Sequence, residues 1–186
     1  MLKRLVPSKS LVAVIDVQDR LAAAMPKEKM ADVARKVGVL LEAAELLGAP
    51  VVATEQYSKG LGPTIEPIGR RLHEMGVPRF EKTAFSAVDV PEFQKRLEEV
   101  APSAIVVVGM EAHVCVYQTV RDLVGRGIDV HVPIDAVVSR HDDDRVTGIA
   151  LCERAGAIPT TTETIVFDWL GRAGTDAFRA ISKLVR

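Results

Sequence analysis

Three residues of this sequence have types and placements that suit nucleophilic chemistry: Asp16, Lys82 and Cys115. Asp16 closes an apolar run that starts at Leu11, Lys82 closes the short segment Arg79-Phe80-Glu81-Lys82, and Cys115 follows the run Ile105-Val106-Val107-Val108 after a brief turn. A thiol attacks well only as its thiolate or while losing its proton. A carboxylate can take that proton and an ammonium can stabilise the resulting charge. Taken singly, each residue has a plainer use: a cysteine beside apolar neighbours is usually core, an aspartate after a strand usually caps a loop, and a lysine is usually solvated. Together at one edge of a sheet they would form a site.

The surrounding pattern predicts the elements that would bring them there. The run 105–108 is β-branched and apolar throughout, as in a strand buried on both faces of a parallel sheet. Val116, Thr119, Val120, Leu123 and Val124 then recur at helical spacing, so Cys115 is expected in the first turn of an α-helix ending near Gly125 or Gly127. Unpaired N–H groups at such a start favour a thiolate and would hydrogen-bond an oxyanion. Earlier, a strand over 11–17, an amphipathic helix from Met30 to Gly48 and a strand over 51–54 make a βαβ unit with a right-handed crossover. Segment 55–78 is irregular, rich in Gly and Pro, with a short helix suggested by Ile68, Leu72 and Met75. Further strands are expected over 79–82, 128–132, 158–160 and 164–167, and further helices from Pro91, from His141 and around Phe178 to Val185. Alternation of this kind predicts an α/β three-layer sandwich on a mostly parallel sheet, with ligands bound at the carboxyl ends of its strands.

Composition narrows the function. At 186 residues the expected organisation is one domain spanning 1–186. The 24 basic against 25 acidic side chains, and an aromatic fraction of 4%, give neither an electrostatic footprint nor a stacking platform for nucleic acid. Two cysteines outside any CxxC spacing fit a reducing compartment. The apolar run after Lys9 is too short for a signal peptide or a membrane span, so a cytoplasmic protein without a membrane partner is expected.

Three motifs, Val14-Ile15-Asp16-Val17-Gln18, Lys82-Thr83-Ala84-Phe85-Ser86 and Gly109-Met110-Glu111-Ala112-His113-Val114-Cys115-Val116, resemble the isochorismatase-like, or cysteine hydrolase, superfamily in its own order. The resemblance implies a six-stranded parallel sheet, a catalytic triad of Asp16, Lys82 and Cys115, and a cis peptide between Met110 and Glu111. It also implies an oxyanion hole made by the amides of Glu111 and Cys115, a small-molecule substrate and assembly into homo-oligomers. Metal-binding nicotinamidases of the superfamily carry an Asp-x-His element and a further His after the second strand. This chain reads Thr54-Glu55-Gln56-Tyr57-Ser58 there, so no metal and no other cofactor is expected. Amide-type hydrolysis through a thioester is the resulting expectation. The alternatives are vinyl-ether cleavage, or a thiol redox sensor or idle scaffold on the same fold.

Around the triad, Gln18 and Gln56 are candidate amide-reading groups, Tyr57 and Phe85 candidate pocket walls, and His113 a candidate substrate contact or a filler of the turn. Cys152 sits on an apolar helix face and reads as core. Phe167, Trp169 and Leu170 are a candidate interface. Cys115 and Arg121 have the Cys-x5-Arg spacing of tyrosine phosphatases, but the residues between them are too bulky for a phosphate cradle. The first strand-to-helix turn lacks the glycines of a dinucleotide site.

Overall fold

The computed structural model describes residues 2–185. Its elements are β1 (Ser10–Ile15), α1 (Asp19–Ala24), α2 (Lys27–Leu47), β2 (Val51–Gln56), α3 (Ser58–Leu61), α4 (Ile68–Glu74), β3 (Arg79–Lys82), α5 (Pro91–Val100), β4 (Ala104–Met110), α6 (Tyr117–Gly125), β5 (Asp129–Pro133), β6 (Val137–Val138), α7 (Asp142–Arg154), β7 (Ile158–Thr160), α8 (Thr162–Leu170) and α9 (Asp176–Leu184). A five-residue π-helical turn, Ala112–Val116, joins β4 to α6.

The strands run in the order β3-β2-β1-β4-β5-β7, every pairing is parallel, and β6 adds to the end of β4. The expected six strands are therefore present along the main path, with a two-residue seventh beside Gly109 and Met110. Alternate side chains of the central strands feed two cores. Val12, Val14, Ala53, Val106 and Val108 pack with α2, α4, α8 and α9 on one face. Leu11, Ala13, Ile15, Val52, Ile105 and Val107 pack with α5, the π turn, α6 and α7 on the other. Burial on both faces is why β1 and β4 read as unbroken apolar runs.

The chain steps outward from β1 to β3 and then returns to begin β4 beside β1. The strand order thus switches between β1 and β4, where a doubly wound sheet opens a crevice at its carboxyl edge. Gly109 lets the two strands approach at this point: its φ is 117°, and a Cβ there would lie 2.0 Å from the Ile15 carbonyl oxygen.

Two expectations need correction. Segment 164–167 is helical, part of α8: Thr161 Oγ1 caps it by accepting from the Thr164 N–H at 3.2 Å, and Ile165, Val166 and Trp169 turn inward. Trp169 is core rather than interface, since it is 3% exposed and its Nε1 donates to Ser10 Oγ on β1 at 3.1 Å. Phe167 and Phe178 remain partly exposed and pack edge to face. The helices α1 and α3 and the strand β6 lie where the sequence pattern shows only loop.

Candidate active site

The switch point brings Asp16, Lys82 and Cys115 together. Asp16 leaves β1 with φ 51°, a left-handed conformation that Asp tolerates better than most residues. Its Oδ1 accepts from Thr54 Oγ1 at 2.8 Å, and its Oδ2 lies 2.7 Å from Lys82 Nζ. Both charged side chains are fully buried. By its angles the contact is an ion pair and not a hydrogen bond. Lys82 Nζ donates instead to Gln56 Oε1 at 2.6 Å, the Phe85 carbonyl at 2.9 Å and the Ala84 carbonyl at 3.1 Å.

Cys115 is 6% exposed, and its proton affinity responds to both Asp16 and Lys82. Burial pushes its thiol up to about 12; Asp16 pushes the same way, and Lys82 opposes. Loss of hydration and the carboxylate thus oppose the thiolate that Lys82 and the turn favour, which suits a thiol that loses its proton during attack. Burial also raises Cys152 to about 12. Only Cys115 has a base and a cation beside it.

The turn that carries Cys115 is not the expected α-helical start. The Glu111 carbonyl accepts from the N–H of Val114 at 3.1 Å and of Val116 at 3.2 Å, passing over Cys115, its partner in an α-helical turn. The peptide between Met110 and Glu111 is cis. The Glu111 carboxylate, 8% exposed, accepts from the N–H of Arg140 at 3.0 Å and from its Nε at 3.1 Å. His113 Nδ1 lies 3.0 Å from Ser139 Oγ, and its Nε2 lies 3.9 Å from Asp144 Oδ2, which ties the turn to the β6–α7 segment.

The two glutamines serve the frame. Gln18 is completely buried; its Nε2 donates to the carbonyls of Gln56 at 3.0 Å and Gly62 at 2.7 Å, and its Oε1 accepts from the Gln56 N–H at 2.6 Å. The amide is spent on backbone, which corrects its expected role of reading a substrate. Gln56 faces Lys82 on one side and donates from Nε2 to the Thr83 carbonyl at 2.8 Å on the other. Tyr57 and Phe85 are 55% and 52% exposed, in the segments that follow β2 and β3. Thr54, Ser139 and Arg140 were not singled out from sequence. Their roles depend on strand register and on β6, neither of which leaves a local signal.

Residues 10–164 match the family model of the isochorismatase domain. Over its whole length the chain is 36% identical to a secreted isochorismatase effector of Phytophthora sojae, of which it covers 88%. It is 34% identical to isochorismatase domain-containing protein 2 of Bos taurus, of which it covers 87%. Among solved structures it is similar to the MAR1 ribonuclease of Caenorhabditis elegans, with 36% identity, a TM-score of 0.88, and 98% of this chain and 92% of that one covered. By its three motifs, its sheet order and these matches, the chain belongs to the isochorismatase domain family.

Proposed function

We propose that the protein is a metal-independent hydrolase that cleaves an amide-type C–N bond of a small molecule through a Cys115 thioester. The observation that carries this reading is the fully buried Asp16 carboxylate, whose Oδ2 lies 2.7 Å from the Lys82 ammonium without a hydrogen bond from it and whose charge acts on the Cys115 thiol. Cys115 Sγ attacks the carbonyl carbon while its proton passes to Asp16, so attack and deprotonation form one step and no resting thiolate is needed. Lys82 balances the Asp16 charge and the negative charge that develops. The amides of Glu111 and Cys115 receive the oxyanion, a role supported by the turn that leaves Cys115 out of the pairing with the Glu111 carbonyl. The amine departs with the proton held by Asp16, and water then releases the acid from the thioester. Tyr57 and Phe85 wall the entrance, and His113 steadies the turn through Ser139.

Metal independence is supported by the residues after β2, where Tyr57 and Ser58 supply no imidazole. Glu55 is committed to the N–H and hydroxyl of Thr64, at 2.9 and 2.7 Å. Although the C. elegans relative is named a ribonuclease, the near-zero net charge of this chain favours a small acyl compound over a phosphate backbone. We further propose one domain and a homo-oligomer in a reducing, cytoplasmic setting, in keeping with two free cysteines. No helix among the described residues is long and apolar enough to cross a membrane.

A panel of small amides, carbamates and ureas tests the reaction, with Cys115→Ala as the blank. Turnover that vanishes in the blank supports the reading. Amide turnover retained in Cys115→Ala would contradict the thioester, and no turnover across the panel points to the alternatives it does not sample, a thiol redox sensor or vinyl-ether cleavage.

A further inference from the structure

Asp16 and Lys82 reach each other across β2, and two side chains of that strand set the terms of their contact. Thr54 and Gln56 are two residues apart on a strand and so share a face. Thr54 pairs in register with Ile15, next to Asp16, and Gln56 pairs with Lys82. The Thr54 hydroxyl occupies Asp16 Oδ1. An ammonium has three N–H donors, and Lys82 spends them on three neutral acceptors: Gln56 Oε1 and the carbonyls of Ala84 and Phe85. Asp16 Oδ2, 2.7 Å away and fully buried, thereby lies beside the Lys82 charge without a hydrogen bond from it. Were a donor free, the ammonium would bond that oxygen directly and weaken it as a base.

We infer that Gln56 is a positioning residue that saturates the Lys82 ammonium so that Asp16 Oδ2 stays free to take the Cys115 proton, with Gln18 holding Gln56 in place from the backbone side. The inference rests on the reading of Asp16 as base. It assigns both glutamines a purpose other than binding substrate.

Iodoacetamide serves as a probe that needs no knowledge of the substrate. In its reaction the S–C bond forms, the C–I bond breaks, iodide leaves with the electron pair and the thiol proton passes to Asp16. The rate at Cys115, followed by peptide mass at one fixed pH, is compared in wild type, Gln56→Met, Asp16→Asn and the double variant Asp16→Asn with Gln56→Met. Gln56→Met should slow Cys115 by about tenfold, the scale of one charge-assisted hydrogen bond, because a freed Lys82 N–H then occupies Asp16 Oδ2. In the Asp16→Asn background the same change should have no further effect, since the base it protects is gone. Gln56→Ser stands in if Gln56→Met does not fold. A wild-type rate in Gln56→Met, or an equal slowing in both backgrounds, would overturn the inference. If Asp16→Asn is slow while Gln56→Met is normal, only the positioning role fails; if Asp16→Asn is also normal, the base reading fails with it.

Discussion

Lys82 Nζ and Asp16 Oδ2 stand 2.7 Å apart with both side chains fully buried, although their strands β3 and β1 are separated by β2. The long lysine side chain spans the intervening strand, which is how a residue on a short outer strand enters a site at the centre of the sheet. A pair this deep is costly to desolvate and more costly to leave with one member.

Lys82→Met should therefore lower turnover by two orders of magnitude or more and destabilise the fold by about 3–5 kcal/mol. The double variant Asp16→Asn with Lys82→Met should regain stability relative to Lys82→Met alone but no activity, because the unpaired charge is gone and the base with it. Urea unfolding and rate measurements on the three proteins check this; near-normal turnover in Lys82→Met would remove the ammonium from the mechanism.

Exhaustive chelation should leave turnover unchanged, since the loop after β2 offers no imidazole and Glu55 is held by Thr64. Activity lost to a chelator and restored by zinc would contradict metal independence.

Gly148 of α7 faces the backbone of the π turn, where a Cβ would lie 2.6 Å from the Ala112 carbonyl carbon and 2.6 Å from the His113 nitrogen. In an open helix, Gly→Ala is stabilising by about 1 kcal/mol. Here the clash should reverse the sign and cost about 1–3 kcal/mol, the usual range for overpacking. Displacing the turn should also slow the chemistry at Cys115 by about tenfold, the equivalent of roughly 1.4 kcal/mol in the barrier. A thermal melt and a rate for Gly148→Ala decide the point; an unchanged or higher melting temperature would show that the contact yields.

Alkaline pH should destabilise the protein through its cysteines. Burial raises both thiols from 9.0 to about 12, so the folded chain retains protons that the unfolded chain releases. Their contribution is complete below the unfolded value near 9 and is lost as pH rises toward the folded value. Cys152→Ser should make the fall in unfolding free energy across that window shallower. Identical slopes in wild type and variant would show that Cys152 keeps an ordinary proton affinity.

The sequence made some of this legible and hid the rest for physical reasons. Asp16, Lys82 and Cys115 stood out because each follows a short strand-like run, and parallel strands deliver their ends to one edge. Thr54 was invisible as a partner of Asp16 because that contact depends on the register setting Ile15 against Thr54. Gln18 and Gln56 were legible as polar groups near the site, but whether a carboxamide meets substrate or backbone is fixed by the loop carrying Gly62. The π turn differs from an α-helical start in which carbonyls the N–H groups of Val116 and Tyr117 reach, Glu111 and Ala112, and no periodicity records that. The opposing pulls of Lys82 and Asp16 on the Cys115 proton are legible in the sequence, but the burial that raises the thiol further depends on packing. The two-residue β6 is too short to show a pattern of its own.

A nucleophilic Cys115 activated in place by Asp16 should show itself in limited iodoacetamide labelling of the folded protein at neutral pH, with both cysteine peptides quantified by mass. Burial raises both thiols, so fast labelling of Cys115 requires its neighbouring base and cation, and Asp16→Asn separates that from simple access. Cys115 should label much faster than Cys152 in wild type, and the difference should collapse in Asp16→Asn; equal labelling in wild type, or faster labelling of Cys152, would contradict the account.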